Sequence, residues 1–188
     1  MSGVNYHAWT HRPKSQGGTD PIESTVLAWA RIQKTYASTL QTCLGNNGFN
    51  NVHCGGTGDA INIGAGESGA GVFDEYLSGS DLIGLTTLVS GVYLVKCELV
   101  WNEAHNFDWG LGVDDSSGAS HYVYGTKNPA QSVVGVYFEY HRYPASQTVI
   151  FTTFQGSGSN KNIDAAMMEI MRIGDYSGAE YTTLDPDQ

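Results

Sequence analysis

The sequence predicts an all-β protein, a jelly-roll β-sandwich preceded by an extended N-terminal arm. Two observations carry this prediction: short segments in which apolar and polar residues alternate, and turn signals between those segments. The 24 glycines and 11 tyrosines among 188 residues agree with many turns and many short strands. We divide the chain into the arm (1–24), the jelly-roll domain (25–174) and an acidic tail (175–188) that we expect to be flexible.

The arm has neither helical periodicity nor alternation, and its prolines and glycines interrupt regular structure. It nevertheless contains a tryptophan, two histidines and basic residues, which a disordered tail would not need. We therefore expect it to become ordered by lying on another protein. The residues predicted to dock there are Trp9, His11, Arg12, Pro13, Gly17, Gly18, Thr19, Asp20, Pro21 and Ile22.

The first part of the domain is the hardest to interpret. Thr25–Gln41 fits either a helix or one or two strands, and we favour strands because β-branched and aromatic residues are frequent in it. Cys43–Gly71 is rich in glycine and asparagine, so we expect long loops around one short strand at Ala60–Ile63.

The β pattern is clear from residue 91 onward. Gly91–Trp101 alternates strictly between two sets of residues. One buried face should therefore hold Tyr93, Val95, Cys97, Leu99 and Trp101. The other predicted strands are Phe107–Val113, Ser132–Tyr140, Val149–Phe154 and Ala166–Ile173. Polar turn signals separate them at 102–106, 114–120, 143–147 and 156–162.

Charge and hydrophobicity restrict the classes of partner. Nine Lys and Arg against 19 Asp and Glu give a net charge of −10, which disfavours nucleic acid and anionic membranes as partners. We expect no membrane insertion, because no segment has the length of a transmembrane helix, and no secretory leader is visible. Synthesis in a cytoplasm is therefore expected, with the three cysteines as free thiols.

Three short motifs have structural interpretations that we prefer to functional ones. Residues 64–69 match GxGxxG, but no helix pattern follows them, so we predict a loop and no dinucleotide site. His53 and Cys54 with the distant Cys43 are too few for a zinc site, and Cys97 fits a core position.

Asp114 and Asp115 suit a hairpin turn at least as well as a calcium site. The chain has no nucleophile elbow, HExxH or P-loop. We therefore predict no enzyme activity, no catalytic residue, no cofactor and no metal. The aromatic residues of the strands fit a core or a subunit interface better than a sugar-stacking surface.

Two resemblances point to a function. HRPKSQGGTDPIE resembles the N-terminal segments of tailed-bacteriophage virion proteins of the minor tail, fibre and head-appendage type, and it implies attachment to a particle. SGVYLVKCELVW and the closing segment TVIFTTFQGSGSNKNIDAAMMEIMRIG resemble strands of the C1q/TNF-like jelly roll, which implies a compact homotrimer. The calcium ligands of some C1q-like heads have no residue-by-residue counterpart in this chain.

Together the resemblances predict a virion structural protein: a trimeric minor tail or receptor-binding protein, made in the bacterial host cytoplasm and held on the particle by its arm. Its partners would be other tail or capsid proteins and a host surface glycan or protein. The predicted host-facing loop residues are Asp114, Asp115, His121 and Tyr143. Alternatives are a capsid decoration or head-fibre protein, a cell-surface polysaccharide depolymerase, and a secreted C1q-like lectin.

Overall fold

The computed structural model describes residues 26–34, 41–45, 48–101, 107–125 and 134–175. All the regular structure in these ranges is β-strand. The strands are β1 (Ala28–Lys34), β2 (Gln41–Cys43), β3 (Asn50–Asn51), β4 (Phe73–Ser78), β5 (Asp81–Thr87), β6 (Gly91–Trp101), β7 (Trp109–Asp115), β8 (Ser120–Gly125), β9 (Val134–Tyr143), β10 (Gln147–Gln155) and β11 (Lys161–Gly174). No helix in this part of the chain is long and apolar enough to cross a membrane.

The strands form two antiparallel sheets packed face to face. The first sheet has the order β1-β11-β6-β9, with β2 also paired to β11. The second sheet has the order β4-β5-β10-β7-β8, with β3 also paired to β10. Strands distant in sequence are thus neighbours in both sheets. This arrangement is the predicted jelly-roll sandwich, and the fold-class prediction is confirmed.

The core fills the space between the sheets, and strict alternation along the strands supplies it. In β6 every second residue from Gly91 to Trp101 is buried, as the sequence pattern predicts. β1 alternates in the same way from Ala28 to Lys34, so over these residues the strand interpretation is right and the helix alternative is wrong. Residues 35–40 of the same predicted segment lie outside the described residues. The bulkiest fully buried aromatic residues that this packing brings together are Trp101, Tyr93, Phe107 and Phe151.

Some predicted boundaries differ from the structure. The short strand expected at Ala60–Ile63 is wrong: only Ile61 makes a bridge there, to Arg31, and a short strand lies at β3 instead. Strand β8 replaces the end of a predicted turn, because the hairpin between β7 and β8 occupies only residues 116–119.

The GxGxxG segment is a series of turns leading into β4, as predicted. Gly69 lies so close to the chain that a Cβ atom there would be 2.1 Å from the Asn62 carbonyl oxygen. Its amide donates a hydrogen bond to that same oxygen at 2.9 Å. The glycine is therefore required by close backbone approach and not by a phosphate.

The predicted docking residues of the arm, and residues 176–188 of the predicted tail, lie outside the described residues.

Candidate functional site: two outer faces and the edge between them

The outer face of the first sheet carries a row of large apolar side chains across four strands. Trp29 pairs with Met171, Met171 with Leu94, and Leu94 with Tyr140, and we call these four residues the apolar row. Phe138 and Val136 extend it along β9, with 54% and 48% of their surface exposed. Exposed apolar area that is continuous across several strands typically marks a contact surface.

Four charged residues on the same face form two ion pairs within the chain. Two guanidinium nitrogens of Arg31 donate to one carboxylate oxygen of Glu169. Lys96 Nζ lies 2.6 Å from Glu98 Oε1, and Arg31 also stacks on Trp29 with 5.5 Å between its guanidinium carbon and the ring centroid. Burying charged groups that already have partners costs less free energy than burying isolated ones.

The outer face of the second sheet carries a different surface, which we call the aromatic patch: Phe49, Tyr122, Tyr124 and Phe154. Phe49 stacks on Tyr122 with ring centroids 4.3 Å apart, and Phe154 meets Phe49 edge-on at 5.3 Å. Tyr124 lies 5.5 Å from Phe154 and is 66% exposed. The patch is therefore an ordered group of rings with faces and edges open to solvent.

A glycine in β7 forms the floor of this patch. A Cβ atom on Gly110 would lie 2.0 Å from the Phe154 ring, so any side chain at position 110 would displace that ring. Glycine in a strand interior often marks close approach of another group, and here the group is an aromatic side chain.

A carboxylate lies at the rim of the aromatic patch. The Tyr122 hydroxyl donates to Asp114 Oδ1 and lies 2.9 Å from Thr152 Oγ1. Burial, followed by the hydrogen bond from Tyr122 to Asp114, raises the pKa of Tyr122, so the hydroxyl stays protonated and remains a donor. The patch thus combines apolar ring surface with fixed polar groups.

The third feature lies where the edges of the two sheets meet. His121 comes from β8 of the second sheet, and Glu139 and His141 come from β9 of the first; we call these three residues the edge cluster. One potential ligand atom from each lies within 4.8 Å of the others. His121 Nδ1 and His141 Nε2 are each 3.9 Å from Glu139 Oε2.

Buried tyrosines surround the buried member of the edge cluster. The Tyr137 hydroxyl is 2.6 Å from His141 Nε2 and donates to Glu139 Oε2 at 2.8 Å. The ring of Tyr143 stacks on the imidazole of His141 with centroids 5.1 Å apart. Burial, and then the proximity of His121, lower the pKa of His141 to about 4, against the opposing effects of Glu139 and Asp115. His141 is therefore neutral at neutral pH.

The predicted host-facing residues do not form one loop surface. Asp114 and Asp115 end β7. The Asp115 carboxylate caps the following turn by accepting from the amides of Ser117 and Ala119, so the turn interpretation is right for Asp115; Asp114 instead lies in the strand and accepts from Tyr122. His121 lies within a strand, in the edge cluster. The prediction that Tyr143 is a host-facing loop residue is wrong. Tyr143 ends β9, and only 2% of its surface is exposed because it packs between His141 and Tyr93.

The three cysteines are buried and form no disulfide. Burial raises the pKa of Cys43 to about 12 and that of Cys97 well above its ordinary value, so these thiols are inert at neutral pH. Among the described residues, Cys43, His53 and Cys54 do not come together as a metal-binding group. His53 instead lies 3.1 Å from a carboxylate oxygen of Asp81.

The edge cluster and the aromatic patch were not predicted from the sequence. Glu139 and His141 are two residues apart and so share a face of β9, which is a usable signal for one half of the cluster. His121 belongs to another sheet, and only the fold brings it there.

No family model matches the chain, and no curated protein sequence matches it. Among solved structures, the globular domain of the zebrafish complement 1qA protein superposes with a TM-score of 0.53 at 12% identity, covering 79% of this chain and 99% of that chain. The PRD1 vertex protein P5 superposes with a TM-score of 0.58 at 12% identity, covering 80% of this chain and 99% of that chain. These likenesses show that the fold is a jelly roll of the C1q/TNF type.

Proposed function

We propose that the chain is a structural protein of a bacteriophage virion that assembles as a homotrimer through the outer face of its first sheet. The apolar row is the observation that carries the assembly. The fold likeness to the PRD1 vertex protein P5, and the resemblance of the arm to virion proteins, support the location.

A second copy of the chain is the partner that suits the apolar row best. The chain carries a net charge of −10, so copies repel one another unless their contact surface is locally neutral. The first sheet provides such a surface, because Arg31 with Glu169 and Lys96 with Glu98 are matched within each copy. Association then buries apolar side chains together with two ion pairs that are already formed.

The oligomeric state tests the proposal directly. Light scattering should give three times the 20.2 kDa mass of one chain. Phe138→Asp introduces an unpaired charge into the contact surface and should give monomers that keep the strand signature in circular dichroism. The matched control is Tyr124→Asp, at an even more exposed aromatic residue on the other sheet, which should remain trimeric. A monomeric wild-type protein would contradict the proposal.

The arm would attach the trimer to the particle. Three arms on one trimer bind with avidity, which offsets the entropy lost when each flexible segment becomes ordered. Deleting residues 1–23 should leave a trimer that no longer enters particles, whereas normal incorporation of the truncated chain would rule out the arm as the connector.

The position on the particle has two candidates. A minor tail or receptor-binding role follows from the arm resemblance, and a capsid decoration or head-fibre role is supported by the likeness to a protein whose name places it at a vertex. Electron microscopy of particles labelled on this protein would distinguish the tail from the head.

The aromatic patch favours a second candidate function: contact with a saccharide of the host surface. Aromatic faces stack on the apolar faces of sugar rings, and Asp114 at the rim offers an acceptor for sugar hydroxyls. In a trimer built through the first sheet, the second sheet faces outward and stays accessible. We propose binding without catalysis; turnover of host polysaccharide by the purified protein would instead support a depolymerase.

A further inference from the structure

We propose that the edge cluster, His121, Glu139 and His141, is a binding site for a divalent transition-metal ion of the zinc class. The ion would join the edges of the two sheets, because its ligands come from β8 on one side and β9 on the other. The site belongs to the monomer and does not depend on the proposed virion function.

The ligand types fit this class of ion. Two imidazoles and one carboxylate are a known zinc ligand set for sites that keep a fourth position open for water. The mixed nitrogen and oxygen ligands favour zinc-class ions over calcium or magnesium, which prefer all-oxygen sites. His141 would bind the ion through Nε2 in the tautomer that carries its proton on Nδ1, and the acidic chain favours uptake of cations.

The distances leave room for an ion. The two nitrogen-to-oxygen distances of 3.9 Å are too long for hydrogen bonds. An ion at the centre of the triangle would lie within about 2.5 Å of all three ligand atoms, a few tenths of an ångström longer than a zinc–nitrogen bond. Small side-chain rotations shorten these distances, and the side chains of His121 and Glu139 are 33% and 50% exposed, so they have freedom to rotate.

Tyr137 serves as the outer-shell partner of the site. Its hydroxyl lies 2.6 Å from His141 Nε2 and 2.8 Å from Glu139 Oε2, and its single proton serves one of them at a time. When an ion takes the Nε2 lone pair, the hydroxyl proton is donated to Glu139 and orients the carboxylate. Carboxylate ligands of metals are commonly fixed by such hydrogen bonds. His141 is fixed in turn by stacking on Tyr143, so its ring plane is set before an ion arrives.

Zinc binding to the full-length protein tests the proposal. After treatment with a chelator, calorimetric titration with zinc chloride should show one ion bound per chain. His121→Ala should weaken binding at least tenfold, and Glu139→Gln should weaken it similarly. The matched control is His53→Ala, another exposed histidine beside a carboxylate, which should leave zinc affinity unchanged.

Two further measurements separate this site from adventitious binding. Cobalt bound to the wild type or to His53→Ala should give the visible absorption of a tetrahedral site. This absorption should be absent when cobalt is added to His121→Ala. Zinc at a hundredfold excess over its dissociation constant should raise the melting temperature of the wild type and of His53→Ala by about 5–10 °C. It should not raise that of His121→Ala. Equal zinc affinity in wild type and His121→Ala, or no binding in either, would overturn the proposal.

Failure of this site and failure of the proposed assembly are distinguishable. The Phe138→Asp variant, designed to be monomeric, should bind zinc with wild-type affinity because Phe138 points to the opposite face of β9 from Glu139. Loss of zinc binding in that variant, with its fold intact, would contradict a site contained within one chain.

Discussion

The outer faces of the two sheets differ in how they treat their exposed aromatic residues. On the first sheet Phe138 and Tyr140 belong to a broad apolar surface that also carries two internal ion pairs. On the second sheet Phe49 and Tyr124 stand with Tyr122 and Phe154 in a compact group, and a hydroxyl–carboxylate pair lies at its rim.

This difference indicates two kinds of partner. A broad apolar surface that carries internal ion pairs gains free energy from burying area and suits a second copy of the chain. A small ordered group of rings with fixed polar atoms gains little from area but can orient a polar ligand. We therefore propose one face for assembly and one for recognition.

The largest expected effect concerns the core that both faces share. Leu99→Ala removes a fully buried side chain from β6 and should lower the free energy of unfolding by about 2–5 kcal/mol. Leu88→Ala makes the same chemical change at a position that is 42% exposed, and should cost less than about 1 kcal/mol. Urea unfolding measures both, and equal losses would mean that the two sheets do not share one core.

His141 of the edge cluster leads us to expect that the free energy of unfolding, measured with a chelator present, depends on pH. In the unfolded chain His141 takes up its proton near pH 6.5, whereas in the folded chain its pKa is about 4. The unfolded state therefore binds more protons between these values, and stability falls as the pH drops from 6.5 to 4, by up to about 3 kcal/mol. In urea unfolding, His141→Gln should lose less unfolding free energy than the wild type over this pH range. If the free energy of unfolding of the variant depends on pH as steeply as that of the wild type, His141 is not the group responsible.

Much of the fold was predictable because burial alone dictates it. β6 alternates without interruption, and its bounds match the predicted strand residue for residue. Ala60–Ile63 misled the prediction because its short apolar run satisfies the strand pattern locally, while only one of its residues finds a bridge partner. Local pattern reports which face is apolar, but pairing depends on residues far away in sequence.

The candidate sites were predictable only in part, for the same reason. Alternation along the predicted strand Ser132–Tyr140 places Val136, Phe138 and Tyr140 on one face, but it does not show that this face points outward. The opposite face of β9 holds Tyr137 and His141, which are polar enough to look solvent-exposed in sequence. The aromatic patch is assembled from β8, β10 and the segment before β3, a combination that no sequence spacing encodes.

The floor of the aromatic patch gives a smaller effect on stability. Gly110→Ala places a methyl group where the Phe154 ring lies, so the ring must move, and we expect a loss of about 1–3 kcal/mol. Gly174→Ala is the matched control, because its nearest neighbour would be 3.9 Å away and its backbone is not strained. Thermal unfolding compares the two variants; equal melting temperatures would mean that Phe154 does not depend on the glycine.

The smallest effect on stability should accompany a clear effect on recognition. Tyr124→Ala removes a side chain that is 66% exposed, so the free energy of unfolding should change by less than about 0.5 kcal/mol. Binding of host-surface oligosaccharides, measured by glycan array and then by calorimetry, should weaken about tenfold, because one stacking ring is lost. Tyr76→Ala, at the opposite edge of the same sheet, should leave this binding intact. If both variants bind as the wild type does, the second sheet is not the recognition face, and the contrast between the two faces reduces to assembly alone.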